Sequence, residues 1–102
     1  MELEQIIFKI ITYSGNAKSS FMEAIQHAKK GEIDKLKNSI ESGEEDLKLA
    51  HKEQTKLIQN EADGGKVETS LLLIHAQDHL MNAITIKDLA MEIVELYKKI
   101  TE

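Results

Sequence analysis

Apolar positions recur along this chain at steps of three and four, the signature of helix faces rather than of strands. In the first segment Leu3, Ile6, Ile7, Ile10, Tyr13, Ala17, Phe21, Ala24, Ile25 and Ala28 draw one stripe, and Gly31 stands where it ends. Lys29 and Lys30 suit a last turn, where positive charge meets the negative end of the helix dipole. A second stripe runs through Ile33, Leu36, Ile40, Gly43, Leu47, Ala50, Gln54 and Leu57 in a heptad-like alternation. Gly43 lowers helix propensity by about 1 kcal/mol relative to alanine, so it marks either a close helix approach or a tolerated weakness. Asp63-Gly64-Gly65 is the clearest break in the chain, because adjacent glycines reach positive φ freely and remove side-chain packing. Beyond it Thr69 or Ser70 can cap a third helix, and the run from Leu71 to Ile100 holds neither glycine nor proline to stop it. Three helices on two short links predict an all-α fold, a three-helix antiparallel up-down-up bundle forming one domain over residues 1–102.

The third helix departs from ordinary amphipathic patterning. One of its faces collects Leu71, Leu72, His75, Asp78, His79, Asn82, Thr85, Ile86, Leu89, Ile93 and Leu96, an apolar stripe interrupted by a polar cluster. Leu73, Leu80, Ile84 and Met91 form a second apolar strip on the other side. A helix apolar on most of its circumference is buried on most of it, and two neighbouring helices cannot cover it all. Copies of the chain are therefore expected to associate through this helix. If they meet around an axis, their Asp78 side chains converge and repel by several kcal/mol unless a divalent cation or protons intervene.

Composition narrows the function classes. The net charge of −5 is spread as mixed Glu and Lys, with no basic stripe to neutralise nucleic-acid phosphates, so nucleic acid is not an expected partner. Zero Cys removes disulfides and thiolate metal sites. No apolar run approaches the roughly 20 residues of a bilayer span and no leader pattern opens the chain, so a cytoplasmic protein is expected. No Walker-type glycine loop is present, so any phosphoryl group must arrive on another protein rather than from bound ATP.

His75 and His79 lie four residues apart and project from neighbouring turns, with Asp78 on the same side. Three readings fit that spacing. The pair can be ordinary packed helix histidines. It can clasp zinc, although the glutamate placement of an HExxH protease is missing. Or a neutral imidazole nitrogen can accept a phosphoryl group and pass it onward. His27 and His51 have no charged constellation beside them in sequence, and Glu41, Glu44, Glu45 and Asp46 read as a solvated helix face.

The segment Leu72-Leu73-Ile74-His75-Ala76-Gln77-Asp78-His79-Leu80-Met81 resembles the phosphorylation motif of enzyme IIA of the lactose/cellobiose (diacetylchitobiose) family of the phosphoenolpyruvate-dependent sugar phosphotransferase system. The likeness extends to Ala50-His51, Gln54-Thr55, Leu57-Ile58 and Glu61-Ala62, to Ala90, Glu92 and Leu96-Tyr97, and to Ser14 through Ser19 with Glu23-Ala24, essentially the whole chain. It implies a homotrimer whose three subunits form a nine-helix bundle. It further implies that His75 takes a phosphoryl group on Nε2 from the phosphocarrier protein HPr and gives it to a cysteine of the cognate IIB component. By the same resemblance Asp78, one per subunit, binds a structural divalent metal, commonly assigned as magnesium, at the trimer axis. His79 would help place the phosphoryl group and Gln77 would support it. The sugar, cellobiose or a related β-glucoside ahead of lactose, would be chosen by the IIC permease, through which alone the subunit meets the membrane. Two alternatives remain at this level: a non-catalytic helical adaptor, and a regulatory protein of the same fold whose partner depends on phosphorylation.

Overall fold

In the computed structural model, which describes residues 2–101, the chain is three long helices: α1 over Leu3–Lys30, α2 over Ile33–Ala62 and α3 over Leu71–Thr101. They run up, down and up in a rod of 54 × 20 × 18 Å. α1 is the central element. It packs along both other helices, whereas α2 and α3 meet over only a short stretch.

The helix ends follow from local sequence. Gly31 closes α1 with φ 73°, a left-handed backbone that glycine adopts without a Cβ clash. Its N–H donates to the Ala28 carbonyl at 3.2 Å, and the Glu32 N–H to that of His27 at 2.9 Å. The link to α2 is therefore two residues long. At the other end Gly64 takes φ 92° and Gly65 donates its N–H to the Asn60 carbonyl at 2.9 Å. Of the two candidate caps for α3, Ser70 is the one used, its Oγ accepting the Leu73 N–H at 3.1 Å.

The core is built on α1. Ile6, Ile7, Ile10, Ala17 and Phe21 meet Leu47, Ala50 and Leu57 of α2 and Ala76, Leu80, Ala83 and Ala90 of α3. A smaller cluster at the far end joins Ala24 and Ala28 to Leu36 and Val94. Gly43 is buried against Phe21, which resolves its role as a close approach of α2 to α1 rather than a tolerated weakness.

The expected stripes hold on α1 and α2 except at Ile33, which sits in the first turn of α2 and is 44% exposed, and polar residues are added that hydrophobic periodicity does not reveal. Ser14 of α1 and Ser39 and Glu53 of α2 are buried. Glu53 is compensated by Lys56 at 2.8 Å and more loosely by Lys9 of α1 at 3.9 Å. On α3 the buried positions are Ala76, Leu80, Ala83, Ala90 and Val94, a mostly small-residue stripe that lets α3 lie close to α1. Of the second apolar strip read from the sequence, Leu80 is fully buried, Leu73 and Ile84 are half-buried, and Met91 lies at the exposed edge.

Candidate functional site

Because mostly small side chains of α3 face α1, with Leu80 and Val94 the larger exceptions, many of its large ones face away from the bundle. Leu71 is 84% exposed, Leu89 58%, Leu96 57% and Ile100 66%, and Ile74 and Met81 lie on the same outward side. An apolar strip over most of a 31-residue helix, interrupted by the polar cluster around Asp78, marks a surface built to be covered.

The chemistry-bearing residues lie on and beside that strip. His75 and His79 come together on consecutive turns, their rings edge to face at 83° with centroids 4.4 Å apart. The two Nε2 atoms are 3.0 Å apart, close enough to share one proton. In neutral imidazoles one of them must donate and the other accept, so the pair holds one Nε2 lone pair unprotonated. His75 is exposed, and an apolar groove formed by Leu71, Leu72, Ile74 and Asp78 lies against it. The arrangement presents a basic nitrogen at a surface that a macromolecule can reach.

Asp78 sits within the outward strip and is exposed, accepting a hydrogen bond from Asn82 Nδ2 at 3.3 Å. Among the described residues no three His, Cys, Asp or Glu side chains converge as a metal cage. One chain alone therefore supplies a single carboxylate with a neighbouring amide. Those hard oxygen donors suit magnesium or calcium rather than zinc, and only several copies together would complete a coordination shell.

Gln77 is separated from His75. Two residues along a helix is a turn of about 200°, and Gln77 faces α2, where its Oε1 accepts a hydrogen bond from Gln54 Nε2 at 2.7 Å. Within one chain it cannot reach the His75 imidazole. His51 is exposed on α2, and its backbone carbonyl accepts a hydrogen bond from Thr55. His27 is not the isolated histidine its sequence neighbourhood suggests. Its Nδ1 is 3.0 Å from Glu32 Oε1 across the α1–α2 turn, a pairing that the five-residue separation hides until Gly31 folds the chain back. Glu41, Glu44 and Glu45 are solvated as expected. Asp46 is half-buried, and burial first, then the like charge of Glu45, pushes its carboxyl above the usual aspartate range.

A three-helix subunit with an accessible imidazole pair beside an uncovered apolar strip is of the class of helical proteins that offer a surface to other proteins. Residues 5–98 match the model of the phosphotransferase system lactose/cellobiose-specific IIA subunit, and the chain belongs to that family. It is 57% identical over 101 residues to the lichenan-specific phosphotransferase enzyme IIA component of Bacillus subtilis (strain 168), covering 99% of this chain and 92% of that one. The crystal structure of the cellobiose-specific enzyme IIA from Bacillus anthracis superposes with a TM-score of 0.95 at 52% identity, over 99% of this chain and 93% of that one. The IIA subunit in solution structures of the Escherichia coli IIA(chitobiose)–HPr complex superposes with a TM-score of 0.85 at 37% identity, over 100% of this chain and 99% of the other. The protein is thus a IIA component of a sugar phosphotransferase system.

Proposed function

We propose that this chain is a phosphocarrier in which His75 takes a phosphoryl group from phosphorylated HPr and delivers it to a cysteine of the cognate IIB component. The observation that carries this reading is the exposed His75 imidazole with its Nε2 3.0 Å from that of His79. With His79 as donor, the His75 Nε2 keeps its lone pair and Nδ1 carries the ring proton. When the donor protein docks, His79 rotates aside. The lone pair of His75 then forms an N–P bond as the donor's own N–P bond breaks; the donor ring, protonated on its other nitrogen, takes back that electron pair and leaves as a neutral imidazole, while His75 keeps its Nδ1 proton. The His79 N–H, one turn away, is free to donate to an oxygen of the arriving group. Transfer to IIB repeats the exchange with a thiolate as acceptor. Positioning and charge stabilisation carry most of such a reaction, so little other machinery is required.

Three copies closing around an axis along α3 would cover the outward strip and set three Asp78 carboxylates near that axis. A magnesium ion bound there would offset their mutual repulsion; Asp78 would hold it, with Asn82 orienting the carboxylate. His75 and Gln77 border the strip on opposite sides, so rotation about the axis brings Gln77 of the partner subunit toward His75. The support asked of Gln77 is then given across the subunit boundary.

The HPr assignment is supported by the complex formed by the 37% identical chitobiose relative. A β-linked glucoside is favoured over lactose because the relatives named for lichenan and cellobiose are 57% and 52% identical, against 42% for a lactose-specific one from Staphylococcus epidermidis. The subunit would work in the cytoplasm and reach the membrane only through the IIC permease.

The test is phosphoryl incorporation from phosphoenolpyruvate through purified enzyme I and HPr. Wild type is expected to carry acid-labile phosphate, His75→Ala none, and His79→Ala to be labelled about tenfold or more slowly, the usual effect of losing one hydrogen bond to a charged group. Labelling of His75→Ala at the wild-type rate would overturn the assignment, and an unlabelled wild type would return the chain to the class of helical adaptors.

A further inference from the structure

We infer that Gln54 is a positioning residue for phosphoryl transfer, acting by fixing the polarity of the Gln77 carboxamide. The inference rests on the phosphocarrier reading above and concerns a residue to which that reading gives no role.

Gln54 occupies a position where packing alone would place an apolar side chain. It follows Leu47 and Ala50 and precedes Leu57 on the stripe that α2 turns toward the bundle, and those three are 6%, 0% and 4% exposed. A break in an otherwise consistent pattern is where a functional constraint is expected to show. What Gln54 does there is specific. Its Nε2 donates to Gln77 Oε1 at 2.7 Å, the only side-chain hydrogen bond between α2 and α3 among the described residues.

A carboxamide has one acceptor end and one donor end, and which of them faces outward depends on the partner of the other. With Oε1 held by Gln54, Gln77 turns its NH2 group away from α2, offering N–H donors and no acceptor. An anion is the ligand that such a group favours, and a phosphoryl group on His75 of the partner subunit is the anion the proposed assembly brings to that side. Left to rotate, the same carboxamide would present its oxygen for part of the time and repel the phosphoryl oxygens. Gln54 touches neither the imidazole nor the phosphorus; its effect passes entirely through Gln77.

Exchanging the polarity of position 54 tests this. Gln54→Met keeps the length and removes the donor, freeing Gln77 to rotate. Gln54→Glu is isosteric but accepts only, so it draws the Gln77 NH2 inward and turns Oε1 outward. The initial rate of transfer from phosphorylated HPr is expected to fall about threefold in Gln54→Met and about tenfold or more in Gln54→Glu, the scale of one lost hydrogen bond to a charged group. The phosphohistidine 31P resonance should shift in the same order. In a Gln77→Met background both substitutions at position 54 should lose their effect on the rate. Equal losses for Gln54→Met and Gln54→Glu, or effects that persist in the Gln77→Met background, would mean that Gln54 only packs and would overturn the inference. So would a wild-type rate in Gln54→Glu. If Gln54→Glu melts early, Gln54→Met with and without Gln77→Met decides the matter alone. An unphosphorylated wild type would instead sink the carrier reading on which the inference stands.

Discussion

A Cβ built at position 43 would lie 2.8 Å from two ring carbons of Phe21, whereas one built at position 15 would meet nothing within 4 Å. The two glycines have the same helix propensity and opposite surroundings. Gly43→Ala should destabilise the chain by about 1–3 kcal/mol, because the fully buried Phe21 ring has no room to yield. Gly15→Ala should stabilise it by roughly 0.5–1 kcal/mol through helix propensity alone. Thermal unfolding of the pair measures both, and a stabilised Gly43→Ala would remove the close-approach explanation. At this scale the sequence was legible where chemistry is local. The four-residue spacing of His75 and His79 predicted their contact, and Ser70 was among the candidate caps. It was not legible where partners come from another helix. Gln54 with Gln77, and Lys9 with Glu53, are 23 and 44 positions apart and carry no periodic signal.

The α1–α2 turn joins two of the three helices, and it is tied by His27, Glu32 and Lys35 as well as by Gly31. Hydrogen bonds from His27 first and from Lys35 next hold the Glu32 carboxyl below its ordinary value of 4.5. A carboxyl depressed in the folded state contributes stability above its unfolded value and loses that contribution as pH falls through the folded one. Glu32→Gln should therefore melt below wild type at pH 7, with the difference closing as pH drops below 4.5. A difference that persisted at pH 3 would assign the effect to shape rather than charge. Element boundaries were largely readable from sequence because glycines and a serine cap punctuate them. The burial of α3 was less so: its large side chains drew attention to one face, while Ala76, Ala83 and Ala90 decide which face meets α1. Small residues carry little hydrophobic signal, yet they are what permits the closest helix approach.

Across the molecule, the outward strip of α3 sets the expected assembly. Leu89→Glu places a charge in the middle of it and should reduce the sedimentation mass of the proposed trimer toward that of a single chain. Chelation with EDTA should lower the melting temperature of wild type and leave Asp78→Asn nearly unaffected, since that variant no longer needs its charge offset. An EDTA response equal in both would place any metal elsewhere. That association was expected at all came from counting faces in the sequence. The chain has too few helices to bury one whose residues 71–84 are apolar on most of the circumference.

The central place of α1 also orders events in time. α2 is joined to α1 by two residues and packs along its length, so their hairpin should close through short-range contacts at a rate independent of concentration. α3 follows on an eight-residue tether with little hold on α2, and in the proposed trimer its outward face would finish packing only on a second chain. His75, the proposed phosphoryl acceptor, rides on that last helix. If the proposed trimer forms, a newly made chain stays incomplete until it finds its copies, and dilution should slow its maturation rather than its first collapse.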